Sequence, residues 1–167
     1  MLVRLARLED AAALPPIEHS AGQLFKNAPG LAWLAEGDVM ALQEHERLIA
    51  QGTVWLAQTK AGQPVGFASA EVFDDELHLW ELSVHADWQR KGVGKLLMHS
   101  ACTHASAKGL AALTLTTFSD IAWNAPAYAR LGFQPASPLG ERLRNVLADE
   151  VAHGLPATRR IAMRRWV

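Results

Sequence analysis

The sequence predicts an α/β fold: a mixed α+β architecture whose central, mostly antiparallel sheet is flanked by helices. Two observations carry that prediction. Residues 53–58, 65–73 and 77–84 are rich in β-formers and are separated only by Lys60-Ala61-Gly62 and by Asp74-Asp75, so they read as consecutive antiparallel strands. On both sides lie stretches whose apolar residues recur every three to four positions, the period of a helix. The chain has 167 residues, half of them hydrophobic and a fifth charged, which suits one domain over residues 1–167 with a buried core.

Taken in order, residues 1–7 read as a short strand. A helix follows over 10–24, which Pro15-Pro16 must break or restart. Pro29-Gly30 and Gly37 make residues 26–37 a loop. Asp38 is a candidate N-cap for a helix through Ala50, with Val39, Leu42 and Ile49 as its apolar stripe and Gly52 past its end. After the three strands, Gly92 opens a helix carrying Val93, Leu96, Leu97, Ala101 and His104, and Gly109 ends it. Residues 110–118 form another strand, 124–131 a short helix stopped by Gly132, 141–151 a helix and 160–167 a closing strand.

Several function classes are disfavoured at once. Lys and Arg number 16 against 17 Asp and Glu, so the net charge of −1 leaves no global footprint for nucleic acid. No apolar run is long enough to span a membrane, and MLVRLARLED turns charged too early for a signal peptide. The expected compartment is the cytoplasm; a homodimer stays open. The single cysteine, Cys102, excludes a disulfide framework, and the seven histidines form no H-E-x-x-H, so no metal is expected.

The chemistry concentrates in residues 82–95, where an apolar strand runs through a short turn into a basic, glycine-containing helix start. The first N–H groups of a helix lack partners and its dipole is positive there, so this turn suits an anion. Gly92 and Gly94 let a phosphate approach the backbone, and Arg90, Lys91 and Lys95 add charge. It is not a P-loop, because Leu96 follows Lys95, nor a Rossmann fingerprint, because position 97 is leucine. Glu81 stands out in a strand otherwise apolar on both faces, where a carboxylate needs a partner and burial raises its pKa toward that of a general base. An ion pair or a hydrogen bond to the backbone would explain it equally well.

Gln89-Arg90-Lys91-Gly92-Val93-Gly94, after a strand ending in Leu82-Ser83-Val84, resembles motif A of the GNAT N-acetyltransferases. Downstream, Tyr128-Ala129-Arg130-Leu131-Gly132-Phe133 resembles the same family's Y-x-x-x-G-F segment, and the likeness is sharp over residues 65–135. It implies the GNAT fold, acetyl-CoA as cosubstrate and acetyl transfer to an amine. Carried onto this chain, it implies that residues 90–95 cradle the pyrophosphate. Backbone groups of Leu82 and Val84, in a strand that splays near a bulge, would pair with the pantetheine arm, and the Val84 N–H would stabilise the oxyanion. Tyr128, the only tyrosine, would be the general acid and Glu81 the base or the ligand of the amine. Many relatives have asparagine seven residues before that tyrosine; here the position is Ile121, so Asn124 is a cofactor contact or, more simply, a helix cap. Asp74, Asp75, Glu76, Glu18 and Glu81 hint at a cationic acceptor, and Trp33 and Trp123 are candidate cleft walls. The rival readings are a non-catalytic acyl-CoA sensor on the same fold and a nucleotide-binding module.

Overall fold

The computed structural model describes residues 1–167. Seven strands form one sheet in the order β1-β2-β3-β4-β5-β7-β6, with β4 and β5 parallel. The chain divides into two compact units, Met1–Glu71 with Trp80–His104, and Val72–Leu79 with Ala105–Val167.

The first unit begins with β1 (Leu2–Leu5), antiparallel to β2 (Val54–Gln58), which is antiparallel to β3 (Pro64–Phe73). Between β1 and β2 run a 3-10 turn (Leu8–Ala13), α1 (Leu14–Gly22), two further 3-10 turns (Gln23–Asn27, Ala32–Glu36) and α2 (Leu42–Ala50). Of the two effects expected of Pro15-Pro16 the restart is found: the pair lies in the first turn of α1, directly after the 3-10 turn, where the missing N–H groups would have had no helical partner. Leu14 and Ile17 of α1, Leu48 and Ile49 of α2, Val54 and Leu56 of β2 and Phe67 of β3 bury one another, with Trp80 packed alongside. Each such side chain contributes roughly 1.5–3 kcal/mol.

Asp38 is not a cap. Helix α2 starts after Ala41, three positions later than its sequence suggests, and Leu42 is exposed. Its entry is tied down from α1 instead, where both carboxylate oxygens of Glu18 accept the Met40 N–H at 3.1 Å. His45 replaces the expected apolar contact: it is fully buried, edge-on to Phe67, with Nε2 3.6 Å from Glu18. On the far side of α2, Arg47 binds Glu44 and Glu71, and Trp80 Nε1 donates to Glu71 at 3.0 Å. Helix α3 (Val93–Ala107) buries Val93, Leu97, Met98, Ala101 and Ala105, while Leu96 turns outward.

In the second unit, Ala112–Phe118 is β5, antiparallel to β7 (Arg160–Trp166). The two-residue β6 (Gln134–Pro135), which the sequence does not announce, pairs with β7. Two helices complete it, α4 (Ala125–Arg130) and α5 (Glu141–Ala152). Strand β4 (Glu76–Val84) begins here, with Glu76 to Leu79 paired to β5. Glu76 accepts Arg142 and Arg164, each at 2.7 Å, and Arg142 also donates to Thr114. A similar set follows on the same face of β5, where Glu150 binds both Arg160 and the Thr116 hydroxyl.

Arg4 grips Asp10 through two hydrogen bonds of 2.7 and 2.9 Å, and the Arg7 N–H adds a third. The Arg4 guanidinium holds the Asp10 carboxyl below the usual range, against a smaller upward push from burial. A folded pKa below the unfolded one stabilises above roughly pH 4, and the benefit is lost as pH falls through the folded value. Asp10→Asn is therefore expected to lower the melting temperature by about 2–6 °C at neutral pH. In thermal melts on a pH series, the gap from the parent should close below about pH 4.

Candidate active site

β4 ends in the stretch the sequence singled out, and its regular alternation breaks there. Trp80 packs with the α1–α2 cluster, on the Phe67 side of β3. Leu82 and Val84 lie instead beside Gly94, where a Cβ would meet their methyl carbons at 4.0 and 3.9 Å, and α3 packs on the Gly66 side of β3. Positions 80, 82 and 84 of a regular strand share a face. Here they do not, so the strand slips phase between Trp80 and Leu82, as a bulge makes it do. Glu81 sits at the slip. It is partly buried and accepts the Ser83 hydroxyl at 2.6 Å. That bond is a side-chain partner two residues along the same strand.

After β4 the chain makes a 3-10 turn (Ala86–Trp88) into α3. His85 lies beyond the strand, where its N–H donates to Val65 and its ring accepts the Asp87 N–H at 3.3 Å. The Ala86 N–H reaches Ser20 of α1 at 3.0 Å, a tether no local pattern announces. Gln89 turns its amide inward to donate to the Val84 carbonyl at 3.0 Å. One lone pair of the Val84 carbonyl is thereby engaged within the protein.

Arg90 and Gly92 both adopt left-handed backbone, with φ of 59° and 82°. For Gly92 this is free of strain, and nothing lies within 4 Å of where a Cβ would stand. For Arg90 it costs roughly 1–2 kcal/mol, and nothing in its side chain signals it. Lys91 folds back so that its ammonium lies 5.0 Å from the centre of the Trp88 ring. Gly94 and Lys95 occupy the first turn of α3, with Val93 buried beneath them. This open, glycine-lined helix start is a cradle an extended phosphate could enter.

Gly66 is the residue that sequence reasoning missed. A Cβ there would stand 3.0 Å from the Ser83 carbonyl oxygen and 3.2 Å from Val93 Cγ1. The only signal was a glycine inside a strand, which marks a close backbone approach.

In the second unit, Tyr128 lies on α4, half-buried, with its ring edge-on to Phe133 at 5.8 Å. Asn124 holds the N-cap position but makes no side-chain cap; its carbonyl accepts the N–H groups of Ala127 and Tyr128. Ile121 is core. Trp33 and Trp123 stand 49% and 37% exposed, so neither is a core residue. The acidic set largely dissolves: Glu76 and Glu18 are engaged in holding the fold. Cys102 is half-buried on α3, and no three His, Cys, Asp or Glu side chains converge as metal ligands would.

The chain belongs to the GNAT acetyltransferase family, whose domain model matches residues 50–135, just over half of its length. Among individual proteins it is similar to the ribosomal protein bS18-alanine N-acetyltransferase of Escherichia coli, with 32% identity over 79 residues. That alignment covers 47% of this chain and 53% of the relative, so the chain spans about half the length of the curated relatives it matches. The fold is shared with the PaiA N-acetyltransferase of Thermoplasma acidophilum, solved with coenzyme A: TM-score 0.73, 14% identity, 99% of this chain and 98% of that one covered. A crystal structure of the Escherichia coli ribosomal-protein-S18-alanine N-acetyltransferase aligns at TM-score 0.66 with 22% identity, covering 99% of this chain and 93% of that one. No helix of this protein is long and apolar enough to cross a membrane.

Gly66→Val should force apart the Ser83 carbonyl and Val93, at a cost of about 1–3 kcal/mol. Gly94→Ala meets only ordinary contacts. Thermal melts of the two variants should show a clear drop for the first and no loss for the second.

Proposed function

We propose that this chain is a single N-acetyltransferase domain that moves the acetyl group of acetyl-CoA onto a primary amine. The observation that carries the reading is the turn from β4 into α3, with left-handed Arg90 and Gly92 beside a helix N-terminus, in a chain of this family. Residues 89–95 receive the pyrophosphate mainly through backbone N–H groups, with Arg90, Lys91 and Lys95 adding charge. Leu82, Ser83 and Val84 offer backbone to the pantetheine arm, and the Val84 carbonyl, already accepting the Gln89 amide, keeps a second lone pair. Asn124 has no side-chain cap to lose and stays a candidate cofactor contact.

The amine nitrogen attacks the thioester carbonyl carbon, forming the C–N bond. The Val84 N–H donates to the oxygen as it becomes negative. Glu81 takes a proton from the nitrogen, directly or through water. The C–S bond then breaks, and Tyr128 gives its phenolic proton to the departing thiolate. The acceptor that ranks first is a peptide α-amine, because the Escherichia coli relative is named for an alanine of a ribosomal protein. Release of free CoA thiol with an alanine-initiated peptide, an N-terminally blocked lysine peptide and a polyamine tests this choice. Turnover with none of them, in a protein shown to bind acetyl-CoA, would remove the peptide reading.

Replacing Gly92 and Gly94 together by valine should abolish CoA binding in calorimetry while circular dichroism stays that of the parent. Lys91→Ala should change affinity little, since the backbone N–H donors of the turn remain. Tyr128→Phe keeps the ring against Phe133 and removes only the hydroxyl. Single-turnover acetyl transfer should fall by roughly 10²- to 10⁴-fold with CoA affinity nearly unchanged.

A further inference from the structure

Ser83 lies two residues after Glu81 on β4, and its hydroxyl donates to Glu81 Oε1 at 2.6 Å. The serine is 2% exposed, so its hydroxyl has no bulk water as an alternative partner. Its backbone is also held, because the Ser83 carbonyl is the atom that presses closest on Gly66. The donor is thus fixed in place before any ligand arrives, and the carboxylate it meets sits where the strand slips phase.

We propose that Ser83 is the positioning residue of the catalytic base: its hydroxyl holds the Glu81 carboxylate in one orientation and keeps it ionised near neutral pH. The proposal rests on the reading of Glu81 as the base. Burial favours the protonated carboxyl, and a hydrogen bond donated to the ionised form opposes it. Only the ionised form can take the amine's proton. Removing the hydroxyl withdraws one donor from that oxygen, so the carboxyl keeps its proton to higher pH.

Other titratable groups on neighbouring elements of this unit have partners of their own. Glu71 on β3 is bound by Arg47 and Trp80. On α1, Glu18 accepts the Met40 N–H and lies beside His45 of α2. His85, after β4, accepts the Asp87 N–H and lies 3.7 Å from the Asp87 carboxylate.

The test uses full-length protein labelled with ¹³C at the glutamate side-chain carboxyls, with the Glu81 resonance assigned by its loss in Glu81→Gln. Ser83→Ala should raise the Glu81 midpoint by about one pH unit, and Ser83→Thr should restore it. Ser83→Cys, of similar volume but with a weak donor, should show the same upward shift and serves if the alanine variant does not fold. In acetyl transfer to an alanine-initiated peptide, the acidic limb of kcat/KM should move with the midpoint, at unchanged acetyl-CoA affinity. An unshifted Glu81 midpoint in the alanine and cysteine variants overturns the proposal and leaves Glu81 as base. Retention of the parent's acidic limb in Glu81→Gln overturns the base reading itself, and Ser83's role with it.

Discussion

At Gly66 the Ser83 carbonyl, Val93 and Leu97 all crowd the space that a side chain would fill, so β3, the end of β4 and the start of α3 meet around one missing Cβ. That contact sets how near the start of α3 comes to Leu82 and Val84, and so where the helix's N–H groups point. The turn between them has little freedom left. His85 is bonded to Val65, Ala86 to Ser20 and Gln89 to Val84, which pins the chain at three points before it reaches the left-handed Arg90. A non-glycine residue keeps such a conformation only where its surroundings determine it. The chemistry proposed for β4 and α3 thus depends on packing more than on any one charged side chain.

Electrostatics in this unit mostly serves the fold. Arg47 holds Glu71 and Glu44 below the usual carboxylate range, joining α2 to β3, and Trp80 adds a further hydrogen bond to Glu71. Glu18 fixes the entry to α2. Glu81, by contrast, accepts a neutral serine hydroxyl. A neutral donor steadies a carboxylate without neutralising it as an arginine would, which suits the base role proposed for it.

What could be read from the sequence was what local pattern encodes. Residues 53–58, 65–73 and 77–84 appear as β2, β3 and β4 with small shifts at their ends, and α3 begins one residue after Gly92. The family likeness rested on backbone-bearing motifs, and those lie in the turn and on α4 as placed. The failures are tertiary. Asp38 had the right chemistry for a cap, but a carboxylate 22 residues away from Met40 does the anchoring. Glu76 counted among the acidic residues that hint at a cationic acceptor, but Arg142 and Arg164, distant in sequence, hold it. The left-handed Arg90 left no mark at all, because a backbone angle imposed by neighbours is not written in the residue that adopts it.

The paired arginines on Glu76 also bear on how the second unit is assembled during synthesis. Glu76 meets its partners 66 and 88 residues further along, and β6 has β7 as its paired neighbour. On a ribosome the residues from 72 to 79 emerge long before the segments that complete their surroundings. The first unit has all its helices and strands in hand once α3 has emerged, so it can collapse while the rest is still being made. The second must wait for β7, and its long-range pairings make it the slower to form. Until then the acidic tip of the β3–β4 hairpin, Asp74-Asp75-Glu76, is a charged and unneutralised end. In that interval it guards the exposed strand edge against pairing with another nascent chain, the task that charged residues perform at sheet edges generally.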